Sequence, residues 1–181
     1  MKTSSLAVEP AEIFVHAQGF FHAQHTLIAN VELPGTPQSL KLAIPALVLS
    51  AFASELFLKC LIAIETNTNP RNGHDLYALF EQLSPPTRQR ITQMWDSYAA
   101  RSKNNWDRLE KATGRKQVRD LQDALALGRR SFQAMRYIYE KPQFSFNLDN
   151  LPQMLERMVL ELRPEWQATE LRPEWPATHW A

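Results

Sequence analysis

A stretch of 21 residues, "PALVLSAFASELFLKCLIAIE" at Pro45 to Glu65, constrains the fold more than any other part of this chain. Its only charges before the final glutamate are Glu55 and Lys59. The length approaches that of a membrane-spanning helix, but charges near the middle of such a helix are expensive in lipid. We therefore predict the central helix of a soluble bundle, with Pro45 in its first turn and no membrane partner.

The remaining segments also favour helices. The chain has only five glycines, and its apolar residues recur mainly at helical rather than alternating spacing. We predict an all-α fold, a single helical bundle of about five to six helices over residues 1–162, followed by a tail over 163–181. The predicted helices are Ala11–Val31, Pro45–Glu65, His74–Leu83, Thr87–Ala100, Val118–Lys141 and Leu151–Leu162.

Between the fourth and fifth predicted helices lies a basic stretch, Arg101 to Arg119, with Gly114 as a helix breaker. We predict that it is exposed and partly a loop. Because it contains Trp106, it could attract RNA through phosphate contacts and stacking, but a solvated surface is the more common meaning of such a stretch.

The fifth predicted helix has a regular apolar seam, and the last has Asn150 as a candidate N-cap and Pro152 in its first turn. The seam residues are Val118, Leu121, Leu125, Gly128, Phe132, Met135 and Tyr139.

The tail holds a near-perfect repeat, in which "ELRPEWQAT" at Glu161 to Thr169 is followed at once by "ELRPEWPAT" at Glu170 to Thr178. Its prolines oppose a continuous helix. Two interpretations stay open: Trp166 and Trp175 fold back onto the bundle or a partner, or the tail is a flexible extension.

Composition excludes several classes of function. A formal net charge of +1 offers no global attraction to nucleic acid or membrane. The single cysteine, Cys60, excludes an internal disulfide and a cysteine metal cluster.

His22 and His25 are three residues apart but lack further ligands in a metal-binding arrangement, so we expect neither metal nor cofactor. The first residues hold no apolar stretch typical of a signal peptide, so we expect a cytoplasmic protein.

Glu55 and Lys59 are four residues apart in the order that favours pairing on a helix. In so apolar a helix each charge needs the other. The pair either fixes the register of the helices or forms the polar floor of a cleft.

His74 and Asp75 begin the third predicted helix. An acidic side chain there caps free backbone N–H groups, which accounts for Asp75. Histidine is not a preferred cap, so His74 is either structural or part of a site.

Arg129, Arg136 and Glu140 fall on one flank of the fifth predicted helix, with Tyr137 nearby. An arginine beside tyrosines can bind phosphate and stack on a base. The alternative is an exposed Arg–Glu pair on a helix surface.

Three of these segments together resemble the HEPN superfamily of small helical domains. They are "FASELFLKCLIAIE", "GHDLYALFEQL" and "RYIYE", and the similarity spans roughly Ala43 to Lys141. The resemblance implies a helical bundle, usually a homodimer, of the kind found in abortive-infection, toxin–antitoxin and other phage-defence systems. Many members bind nucleotides or act as metal-independent ribonucleases, and an antitoxin or nucleotidyltransferase is a typical partner.

Catalytic HEPN members carry an R-x(4–6)-H motif, which this chain lacks: Arg71 precedes His74 by only three residues. From the resemblance we expect an RNA- or nucleotide-binding bundle, with ribonuclease activity left open. The alternative is a non-catalytic helical interaction or dimerisation module. The expected catalytic residues are His74, Arg136, Glu55 and Lys59, and the expected ligand-binding residues are Asp75, Tyr137, Arg129 and Glu140.

Overall fold

The computed structural model describes residues 9–29, 37–70, 73–114, 116–129 and 150–167, and all regular secondary structure in these ranges is helical. The prediction of an all-α bundle of five to six helices is confirmed. The helices are α1 Pro10–Ala29, α2 Pro37–Thr66, α3 Leu76–Phe80, α4 Pro85–Thr113, α5 Leu121–Leu127 and α6 Leu151–Leu162, followed by a 3-10 helix at Pro164–Gln167.

Helix α2 lies at the centre of the core, where it packs most extensively against α1 and also contacts α3 and α6. Phe57 and Leu61 are fully buried, and the Phe57 ring meets that of Phe14 on α1 at a centroid distance of 5.9 Å. The stretch Lys41–Thr66 is long and apolar enough to cross a membrane, but most of it is buried inside the protein. That burial is typical of the central helix of a soluble bundle; the cytoplasmic location stays a prediction.

The start of α2 departs from the prediction. The helix begins at Pro37, so Pro45 lies inside it rather than in its first turn. Pro45 is exposed. Water can therefore hydrate the carbonyl that loses its N–H partner, which lowers the cost of an internal proline.

Among the helices, α4 differs most from its predicted bounds, Thr87–Ala100. It continues through the basic stretch after Arg101, which was predicted to be partly a loop. It ends at Gly114, the predicted helix breaker, whose φ is +68°. No glycine or proline interrupts the sequence between Pro86 and Gly114. The returning chain also stabilises the polar half of α4, because Arg119 pairs with Asp107 at 2.5 Å and with Glu110 at 3.1 Å.

Two helices are shorter than predicted. Helix α3 begins at Leu76 instead of His74 and ends at Phe80, before a turn. Helix α5 covers Leu121–Leu127 and ends at Gly128, whose N–H donates to the Ala124 carbonyl. Gly128 is therefore a C-cap and not a residue of a continuous seam. The predicted continuation from 130 to 141 lies outside the described residues.

Helix α6 has the predicted bounds, with Pro152 in its first turn. Asn150 precedes it but makes no side-chain cap. Its amide Nδ2 instead donates to the Tyr98 hydroxyl of α4 at 2.6 Å, which ties the start of α6 to α4.

The first unit of the tail repeat packs against the bundle. The Trp166 ring lies 5.4 Å from that of Phe14 on α1, and the Arg163 guanidinium lies over the indole at 6.0 Å. This agrees with the fold-back interpretation for Trp166, while Trp175 lies outside the described residues.

Candidate functional site

The centre of the candidate site is the carboxylate of Glu55 in α2, whose side chain is only 4% exposed. Lys59, one turn later on the same helix, donates from Nζ to Glu55 Oε1 at 2.7 Å. His74, at the start of the loop segment before α3, brings Nδ1 within 3.0 Å of both Glu55 oxygens. The three side chains form one cluster, the Glu55 cluster, which joins α2 to the approach to α3.

The three side chains of the Glu55 cluster differ in solvent exposure. Lys59 is 17% exposed and His74 is 46% exposed, whereas Glu55 lies beneath both. An ionised carboxylate only accepts hydrogen bonds, so contact with Glu55 selects the imidazole tautomer in which Nδ1 carries the proton. Neutral His74 then has its lone pair on Nε2, the nitrogen that can accept a proton from a substrate.

Asp75 forms a second set of contacts beside the cluster. Its Oδ1 accepts from the Ala78 N–H at 3.0 Å, so it is the N-cap of α3 as predicted. Its Oδ2 accepts from Arg129 Nε at 3.0 Å, and the Arg129 guanidinium lies 5.4 Å from the Tyr77 ring centroid. The Leu76 N–H donates to the Arg129 carbonyl at 3.1 Å, which fixes the end of α5 against α3.

The structure therefore brings together five of the eight predicted site residues in two adjacent groups. Glu55, Lys59 and His74 form the first group, and Asp75 and Arg129 the second. The other three, Arg136, Tyr137 and Glu140, lie outside the described residues.

Sequence reasoning missed a groove between α4 and α6. It has a volume of about 840 Å³ and is lined on both sides by polar and apolar side chains. At one end the Glu161 carboxylate accepts from Arg90 Nε and Nη2 at 2.8 and 2.7 Å and from Arg157 Nε at 3.2 Å. The Arg157–Glu161 spacing of four residues was a visible signal, but Arg90 lies 71 residues away from Glu161 in the sequence.

The structure does not assemble a metal site within the described ranges. No group of three or more histidine, cysteine, aspartate or glutamate side chains there could hold an ion. His25 instead packs edge-on against Phe21 at a centroid distance of 4.5 Å. Cys60 is buried, and this burial raises the pKa of its thiol to about 12, so it is not a nucleophile at neutral pH.

Comparison with models of protein families, with curated proteins and with solved structures gives no match to this chain. The HEPN assignment therefore depends on the three sequence segments alone and stays a prediction.

Proposed function

We propose that the chain binds RNA or a nucleotide at the Glu55 cluster. The observation that carries this proposal is the hydrogen bonding of His74, a half-exposed imidazole, to a carboxylate that is buried in the central helix. A histidine with only a capping or solvated role needs no such partner. The resemblance to HEPN proteins supports the same ligand class.

The chemistry of the cluster also supports RNA cleavage, the stronger form of the proposal. Metal-free cleavage needs a base near the 2′-hydroxyl and a cation near the phosphate. A carboxylate that orients the imidazole through Nδ1 makes His74 a suitable base, as in other acid–histidine pairs. Lys59 supplies a positive charge within the same cluster, and Arg129 supplies another beside it.

The second candidate function is a non-catalytic interaction module, in which the same groups only hold helices together. It is favoured by the internal pairing of every charged member: Lys59 with Glu55, and Arg129 with Asp75. In that case His74 contributes to the docking of α3 onto α2 and has no ligand. A homodimer, an antitoxin or a nucleotidyltransferase partner fits either proposal.

The test is an RNA binding and cleavage assay with the full chain and total RNA, repeated with His74→Ala. We expect the wild type to bind RNA and His74→Ala to lose most binding or cleavage. His22→Ala is the matched control, because His22 is an exposed helical histidine outside the cluster. Circular dichroism of both variants checks that the helices are retained.

Three results would contradict the proposal. A wild type that neither binds nor cleaves RNA would favour the interaction module. Equal activity of His74→Ala and wild type would remove His74 from the site. An equal loss in His22→Ala would show that the effect does not come from the cluster.

A further inference from the structure

The extension of α4 beyond its predicted end places three arginines in one line. An α-helix turns by 100° per residue and rises 1.5 Å, so Arg90 and Arg108, 18 residues apart, lie five turns apart in the same direction. Arg101 lies about 20° from that direction. The three side chains, the α4 arginine line, extend over about 27 Å.

The line begins inside the α4–α6 groove and continues past it. Asn150 at the start of α6 contacts Tyr98, and Glu161 near its end contacts Arg90, so α6 runs antiparallel to α4 and covers it only from about Arg90 to Tyr98. Arg101 also lines the groove, at the end where α6 begins. Arg108 lies two turns farther along α4, beyond that end.

Two of the three charges along the line, those of Arg101 and Arg108, are not neutralised by neighbouring acids among the described residues, whereas Arg90 is paired with Glu161. Arg101 and Arg108 are exposed and form no ion pair with another residue in the described part of the chain. The nearby acids Asp107 and Glu110 already have partners: Asp107 accepts from Arg119, and Glu110 accepts from the Gln117 backbone N–H and from Arg119. These hydrogen bonds keep the pKa of each carboxyl below its ordinary value. This half of α4 therefore presents a net positive face.

The groove offers further contacts that suit nucleotides. Met94 and Met154 contribute apolar surface, Ser97 and Gln93 contribute hydrogen-bonding groups, and Tyr98 contributes an aromatic ring. A volume of about 840 Å³ lies within the ordinary size range of ligand clefts. At the inner end Arg90 holds the Glu161 carboxylate with bidentate geometry, the geometry that guanidinium also uses for phosphate.

We propose that single-stranded RNA lies along the α4 arginine line, with its phosphates on Arg101 and Arg108 and one end in the α4–α6 groove. Arg101 and Arg108, two cations that are unpaired within the described part of the chain and separated by about 10 Å of helix rise, suit successive phosphates of a polyanion better than a small anion. The aromatic and amide groups of the groove favour a nucleotide strand over an acidic polypeptide. This inference rests on the proposed function, RNA binding at the Glu55 cluster, and adds a second RNA contact surface on α4.

The test measures the affinity of the full chain for a fluorescently labelled oligouridylate by anisotropy over a range of KCl concentrations. The slope of log affinity against log salt is negative, and each lost phosphate contact on a single strand reduces its magnitude by about 0.7, so Arg101→Gln/Arg108→Gln should reduce the magnitude by about 1.4. The matched control is Lys41→Gln/Lys103→Gln, which removes the same charge. Lys103 is exposed and points about 140–160° away from the arginines of the line on α4. The control should keep the wild-type slope.

The possible outcomes separate this inference from the proposed function. A wild-type slope in the arginine variant, together with lost binding in His74→Ala, would overturn the inference and leave the proposed function intact. No binding by the wild type would overturn both. Equal slopes in the arginine and lysine variants would also overturn the inference, and so would competition by polyglutamate as strong as that by unlabelled RNA, which would identify an acidic polypeptide as the partner.

Discussion

The carboxylates of Glu55 and Glu161 are each held by two basic side chains, but they differ in burial. Glu55 is 4% exposed and is held by Lys59 and His74, whereas Glu161 is 32% exposed and is held by Arg90 and Arg157. Water can replace the partners of Glu161 but not those of Glu55. We therefore expect the stability of the fold to depend more on the pairing of Glu55 than on that of Glu161.

The largest expected effect is that of Glu55→Leu, which keeps an apolar volume in the core and removes the carboxylate. Lys59 then keeps its charge in a mostly buried position, and removal of one partner of a buried pair typically costs about 3–5 kcal/mol. Because Lys59 is 17% exposed and can reach water, we expect a loss near the lower limit, about 3 kcal/mol, in urea unfolding. Glu161→Leu should lose less than about 1 kcal/mol. Equal losses in the two variants would contradict the comparison.

A double variant tests whether the unpaired charge of Lys59 causes the loss of stability in Glu55→Leu. In Glu55→Leu/Lys59→Met neither charge remains, and well-packed apolar replacements of a buried pair are often neutral or stabilising. We expect the double variant to regain about 2 kcal/mol relative to Glu55→Leu in the same urea titration. Losses that simply add would mean that the two charges do not depend on each other.

Substitution of Asp75 tests the group beside the cluster. Asp75→Ala removes the N-cap of α3 and the contact with Arg129, and loss of a cap typically costs about 1 kcal/mol. Asp75→Asn keeps a capping oxygen and loses only the charge, so most of the stability should return. Thermal unfolding followed by circular dichroism measures both. A loss in Asp75→Asn equal to that in Asp75→Ala would show that the contact with Arg129, not the cap, is the main contribution.

Local patterns were sufficient to predict the Glu55–Lys59 pair and the Asp75 cap, because both depend on residues within one helical turn. The contact of His74 with Glu55 joins residues 19 apart, and no spacing rule predicts it. The C-terminal half of α4 was missed because its polarity was interpreted as a loop. Its helix is supported by Arg119, which returns from beyond Gly114, and that contact appears only in the folded chain.

The smallest expected effect is the pH dependence of the Glu161 ion pair. The hydrogen bond from Arg90 holds the pKa of the Glu161 carboxyl below its ordinary value of 4.5. A carboxyl with a lowered pKa in the folded state stabilises the fold above its ordinary pKa, and this contribution is lost as the pH falls through the folded pKa. The Tm of wild type should therefore slightly exceed that of Glu161→Gln at neutral pH, and the difference should vanish in acid. Asp96→Asn, an exposed change on α4, is the control for general charge effects. A difference that grows as the pH falls would contradict a lowered pKa of Glu161 in the folded state.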